Sequence, residues 1–242
     1  MTENPKTIDA SPVEGPSPEF VDPGPISKAE DPNLNEDSAL ALLNQADLPP
    51  DVIENLEKSS VATKSRKLKL AIVRHPKTPR YVSLSLIRKL FTFDLMQVAL
   101  TPVVAGDLKM AAEEVLIHRL ETISAGEKLS LARRASGRVA SQLLLAAEPR
   151  IIHAALENPR LTEDLVTKAL LRNEASAELV SAVCAHSKWS LRREVRIALL
   201  RNEHTALEHA VEFAKSLPND LVGEILQNSK LPENVRASLT QL

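Results

Sequence analysis

The sequence predicts an all-α protein built as a helical-repeat solenoid, and three observations carry that expectation. The pentapeptide LLRNE occurs twice, in "LLRNEAS" at residues 170–176 and "LLRNEHT" at residues 199–205, 29 residues apart. Four segments place apolar residues at i, i+1, i+4 and i+5, the spacing that lays one stripe along a helix of about three turns. The chain of 242 residues is 43% hydrophobic, mostly Leu, Ala, Val and Ile, with six glycines and six aromatic residues. Such side chains lose little rotamer freedom in a helix.

The N-terminal part reads differently. Residues 1–36 contain seven prolines and eight acidic residues against two lysines, a net charge of −6 out of −2 for the whole chain. Their apolar residues are scattered and without period, so burial cannot offset the entropy of ordering them. A disordered acidic, Pro-rich tail is expected over 1–36 and a helical repeat domain over 37–242. The domain begins with three short helices in "SALALLNQA", "DVIENLEKS" and "KSRKLKLAIVRH", separated by Pro-Pro and Ser-Ser.

The four stripes are Ile151-Ile152 with Ala155-Leu156, Leu165-Val166 with Ala169-Leu170, Leu179-Val180 with Val183-Cys184, and Leu221-Val222 with Ile225-Leu226. Related stripes are Leu191, Val195, Ala198 and Leu199, and Leu207, Ala210, Val211 and Ala214. Asn or His follows each helix: His75, Asn158, Asn173, His186, Asn202 and Asn228. Both residue types are enriched at positive φ, which predicts a left-handed helix stop at these sites. Thr78, Thr162, Ser176, Ser190 and Thr205 then serve as expected N-caps, with capping boxes at Ser124–Glu127 and Thr205–Glu208. Two helices complete a period of 28 to 29 residues. A short helix with one apolar stripe is unstable alone, and stacking pairs of them buries the stripes in a continuous core.

"VRHPKTPRYV", "LENPRLTEDLV" and "KWSLRREVRIALLRNEHTALEHAVEFA" resemble the leucine-rich repeat variant family and the wider HEAT-like helical repeats. The pattern is V-R on one helix (Val195-Arg196), an N/H-P-x-T type turn (Asn202 to Thr205) and a following L-x-x-L/A helix (Leu207 to Phe213). The resemblance covers mainly 151–242, is weaker over 71–120 and is absent over 1–60. It implies a superhelical α-solenoid. The iron–sulfur centre of that family's founding member does not transfer, because Cys184 is the only cysteine here.

That single cysteine also excludes an internal disulfide framework and a Cys-rich metal site, and fits a reducing compartment. The N-terminus lacks a basic start and an apolar core of the secretory type, so a cytoplasmic location is expected. No apolar run is long enough to insert into a membrane. Cys184 occupies the fourth stripe position, which predicts a small buried hydrophobe rather than a nucleophile. Glu114 and His118 are four residues apart on one helix face, too few ligands for a metal centre. The six glycines are isolated, with no phosphate loop. No cofactor, metal or catalytic residue is expected.

The most suggestive constellation is "KWSLRREVRIALLRN". Trp189, Arg172, Arg192, Arg193, Arg196 and Arg201 form a candidate interaction surface, a basic ridge with one aromatic edge. Arginine's planar fork suits carboxylates and phosphates, and tryptophan anchors interfaces. The bland alternative is a solvated helix face neutralised by Glu163, Asp164, Glu178 and Glu194, with Trp189 packed on a neighbour. Arg133, Arg134 and Arg138 form a second cluster, and Lys64, Arg66, Lys67 and Lys69 a third.

These features predict a non-catalytic scaffold that binds another protein or an acidic peptide, with the acidic segment 1–36 able to occupy the ridge. The alternative is a nucleic-acid-binding HEAT-like protein, of the kind that includes DNA glycosylases. The net charge of +4 over 37–242 is modest for that role, and a base-stacking platform needs more aromatic residues.

Overall fold

A computed structural model describes residues 34–241; the acidic segment lies outside the described residues except for its last three positions. Sixteen α-helices and no strand occur among the described residues. They are α1 (Glu36–Leu43), α2 (Pro50–Lys58), α3 (Ser60–Lys64), α4 (Arg66–Arg74), α5 (Arg80–Ile87), α6 (Thr92–Leu100), α7 (Gly106–Arg119) and α8 (Ala125–Arg134). Then follow α9 (Gly137–Leu143), α10 (Pro149–Leu156), α11 (Glu163–Leu170), α12 (Ala177–Ala185), α13 (Arg193–Arg201), α14 (Leu207–Lys215), α15 (Asn219–Gln227) and α16 (Glu233–Thr240). None is long and apolar enough to cross a membrane.

Helix starts are set by local chemistry. Hydroxyl or amide side chains of Asn35, Ser59, Ser65, Ser124, Ser136, Thr162 and Ser176 accept a hydrogen bond from a first-turn backbone N–H, satisfying donors that have no partner within the helix. Ser124 and Glu127 form the full reciprocal capping box. Pro50 and Pro149 open α2 and α10, where a missing N–H costs nothing.

The helices pack in a regular order. From α7 onward, α7 contacts α9, α9 contacts α11, α11 contacts α13 and α13 contacts α15; α8 contacts α10, α10 contacts α12 and α14 contacts α16. Sequence neighbours such as α6 with α7, α9 with α10, and α13 with α14 also touch. From α7 onward most helices thus meet the helix two further on. The stripes serve this packing: Ile151, Ile152, Ala155 and Leu156 of α10 and Leu179, Val180, Val183 and Cys184 of α12 are all buried.

Two stripe members depart from expectation. Leu191 and Leu207 are exposed. Trp189 enters the core two residues before Leu191, and α13 starts only at Arg193, so Leu191 falls in the preceding turn. In α14, Phe213 supplies the bulk and leaves Leu207 at the helix rim.

The expected left-handed helix stops are not present. No described residue has positive φ. His75, His186 and Asn202 follow their helices in extended conformation, at φ of −73°, −80° and −94°. Thr205 and Ser190 are not N-caps either. The Thr205 hydroxyl donates back to the Leu199 carbonyl at 2.6 Å and that of Ser190 to His186 at 2.8 Å, so the Thr205–Glu208 capping box does not form. Thr78 donates in the same way to Ile72. These hydroxyls close the preceding helix instead of opening the next.

Candidate interaction surface

A helix leaves its last four carbonyls without partners. Here several carbonyls are met by side chains from a later turn, two helices on for Asn158, Asn202 and Ser229 and three for His75. The Asn202 amide donates to the Leu170 carbonyl at 2.7 Å, and Asn158 donates to the Ala132 and Ala135 carbonyls at 2.8 and 3.1 Å. His75 Nε2 lies 2.9 Å from the Gln45 carbonyl, and the Ser229 hydroxyl donates to Leu200 at 2.6 Å. Each group also accepts from a backbone N–H two residues ahead: Lys77, Arg160, His204 and Leu231 respectively for His75, Asn158, Asn202 and Ser229. Asn and His suit the position because a short planar side chain carries a donor and an acceptor. His186 keeps the local half, accepting from Lys188, while its Nε2 lies 3.3 Å from the Glu157 carboxylate. Asn173 and Asn228 do not bridge: Asn173 is exposed and accepts from Lys230, and Ser229 takes the place expected of Asn228.

Longer side chains join this ladder. Arg119 donates to the Leu90 and Arg88 carbonyls at 2.6 and 2.8 Å, and Arg160 to Arg134 at 3.2 Å. The Trp189 indole N–H donates to Leu156 at 2.9 Å. Trp189 is 2% exposed, so its ring belongs to the core and offers no open aromatic edge. Lys188 Nζ covers one face of the ring at 3.9 Å.

The five arginines grouped with Trp189 fall into different environments. Arg172 is exposed and donates to Gln142 of α9 at 3.0 Å. Arg196 donates to the Ser190 carbonyl at 2.7 Å and lies over the Phe213 ring at 5.4 Å. Arg201 is half-buried, and its Nε has no hydrogen-bond partner among the described residues. Arg192 and Arg193 remain exposed at the start of α13. Cations there oppose the helix dipole, which favours anions at this end. Among the described residues none of the five forms an ion pair; Asp164 pairs with Lys168 instead.

In each of the other two clusters one arginine is held by carboxylates. Arg66 grips Asp94 through two hydrogen bonds of 2.6 and 2.9 Å, and Asp94 is almost fully buried. Arg138 joins Glu113 and Glu114 of α7 to α9. His118 and Glu114 touch through a backbone carbonyl at 2.8 Å, and no group of three or more potential metal ligands occurs among the described residues. Cys184 is buried, which pushes its thiol pKa up to about 11, with Glu212 adding to the shift. That is the opposite of the activated cysteine environment.

Compared with family models, with curated proteins and with solved structures, the chain matches none.

Proposed function

We propose that the chain is a helical-repeat solenoid of HEAT-like type that acts as a non-catalytic protein-interaction scaffold in a reducing, cytoplasmic setting. The observation that carries this reading is the recurring bridge from the turn after one helix to the carbonyl end of the helix two back, made by Asn158, Asn202 and Ser229; His75 makes the same bridge across three helices. A bridge repeated at this interval ties each helix pair to the next, which supports a quasi-one-dimensional stack. Such stacks bury their stripes between neighbours and leave long faces for partners.

The partner we infer is another protein presenting an acidic peptide, met at Arg192 and Arg193. Their exposure at a helix start, unpaired and against the dipole, is more readily explained by an incoming carboxylate than by helix stability. Nucleic-acid binding is the weaker reading. Trp189 is unavailable for base stacking, and Arg196 and Arg201 are half-buried.

The test is titration of the full chain with a panel of acidic peptides, alongside duplex and single-stranded DNA at low salt. The reading expects peptide binding that R192E/R193E abolishes. A salt-dependent DNA shift without peptide binding would replace it.

A further inference from the structure

The last three helices enclose an apolar groove of about 660 Å3 between α14, α15 and α16. Ala214, Val222, Leu226 and Leu239 supply its apolar lining beside three uncharged polar side chains, and among the described residues Lys215 and Arg236 are its only charged lining. Among the described residues neither cation forms an ion pair, and the Nε of Arg236 is buried without a hydrogen-bond partner. Asp220, Glu224 and Glu233 belong to the same helices but do not line the groove. An apolar trough with two unanswered cations calls for a short apolar segment bracketed by carboxylates.

The chain itself carries one. Residues 1–33 hold seven acidic residues and two lysines, and their only adjacent pair of large apolar residues is Phe20-Val21. Glu19 and Asp22 flank that pair, in the sequence "PEFVDP". Phe20 is also the one aromatic residue of the segment. The match is therefore in charge sign, charge number and apolar content at once.

Reach decides which copy supplies it. Phe20 stands 14 residues before Leu34, where the described chain begins, a span of at most about 50 Å when fully extended. Contacts lead from α1 to α15 through α4, α6, α7, α9, α11 and α13, at about 8–10 Å each some 60 Å of packed helices. On helices stacked in a line, a segment of the same chain falls short even when fully stretched, whereas that of a neighbouring molecule has no such limit. We infer that the groove of α14–α16 is the docking site for the Glu19–Asp22 segment of a second copy. The contact joins different surfaces of the two molecules, so it runs head to tail unless two copies exchange segments. This inference goes beyond the scaffold reading and rests on its linear stack only for the choice of copy, which crosslinks confined to single chains would test separately from the groove.

The experiment uses the full chain with the photoreactive amino acid benzoylphenylalanine in place of Phe20. Irradiation is expected to give a covalent dimer whose yield rises with concentration, with the crosslink mapping to residues 214–240. E19K/D22K, which lies outside the described residues, should lower the dimer yield about tenfold, the scale of a lost interface anchor. K215E/R236E in the same chain as E19K/D22K should restore it, and K215E alone should weaken it without touching the half-buried Arg236. Crosslinks confined to single chains, crosslinks mapping elsewhere, or a dimer yield unchanged by E19K/D22K would each overturn the inference.

Discussion

The Asn202 amide donates to the Leu170 carbonyl at 2.7 Å across 32 residues of chain, while its oxygen accepts from the His204 N–H at 2.9 Å. One side chain therefore fixes its own turn and the end of the helix two earlier. Asn158 does the same with two carbonyls and is 1% exposed. Asn158→Ala leaves three backbone groups without partners and is expected to cost about 3 kcal/mol. Asn202→Ala should cost about 2 kcal/mol, and Asn173→Ala, at an exposed turn, less than about 0.5 kcal/mol. Urea unfolding followed by circular dichroism ranks the three.

Trp189 tests the same ladder with a different donor. Trp189→Phe keeps an aromatic ring but leaves the Leu156 carbonyl unpaired. A loss of about 1–3 kcal/mol is expected for an abandoned buried partner. In the unaltered chain, acrylamide should quench Trp189 fluorescence weakly until the chain unfolds, because the ring is enclosed. Strong quenching in the native state would place the indole at the surface instead.

Gly137 opens α9 where the 158–160 turn crosses it. A Cβ there would collide with the Arg160 carbonyl, whereas Gly126 in α8 has open space. Gly137→Ala should lower stability by about 1–3 kcal/mol as the turn is forced away. Gly126→Ala should raise stability by several tenths of a kcal/mol through helix propensity, to an order of magnitude. Thermal melts of the two variants are expected to shift in opposite directions.

Cys184 makes a pH prediction. Its folded pKa is raised from 9.0 to about 11, so the folded state holds the proton longer than the unfolded state does. Its stabilising effect is complete below pH 9.0 and falls away between pH 9.0 and about 11, by about 2–3 kcal/mol in all. Native chain should therefore resist thiol reagents at pH 8 and react fully in denaturant. Replacing Cys184 by Ala should remove this part of the alkaline loss of stability.

The sequence made some of this legible and hid the rest for physical reasons. Periodic stripes are read directly from burial, so α10, α11 and α12 and their caps at Thr162 and Ser176 appear where the spacing places them. The Asn and His markers were visible as punctuation, but their role was not. A helix stop at positive φ is a local property, whereas the bridges of Asn158 and Asn202 reach 26 and 32 residues back. The only sequence signal was that the markers are confined to side chains carrying a donor and an acceptor. That Trp189 is buried and gives the arginines no open aromatic edge was hidden for a related reason. Adjacency in sequence does not say that Arg196 is spent on a carbonyl and a ring and Arg201 is half-buried, while Arg172, Arg192 and Arg193 stay exposed.

The central claim is that successive helix pairs stack along one line. Glu121, Ala147, Glu174 and Glu203 are exposed positions in the turns that follow α7, α9, α11 and α13. Cysteines introduced there can be spin-labelled selectively, because Cys184 is buried. Pulsed electron–electron distances from position 203 should lengthen stepwise to 174, 147 and 121, by about 8–10 Å per helix pair. A distance from 203 to 121 no longer than that from 203 to 174 would mean that the helices fold back around a common centre, and would contradict the account.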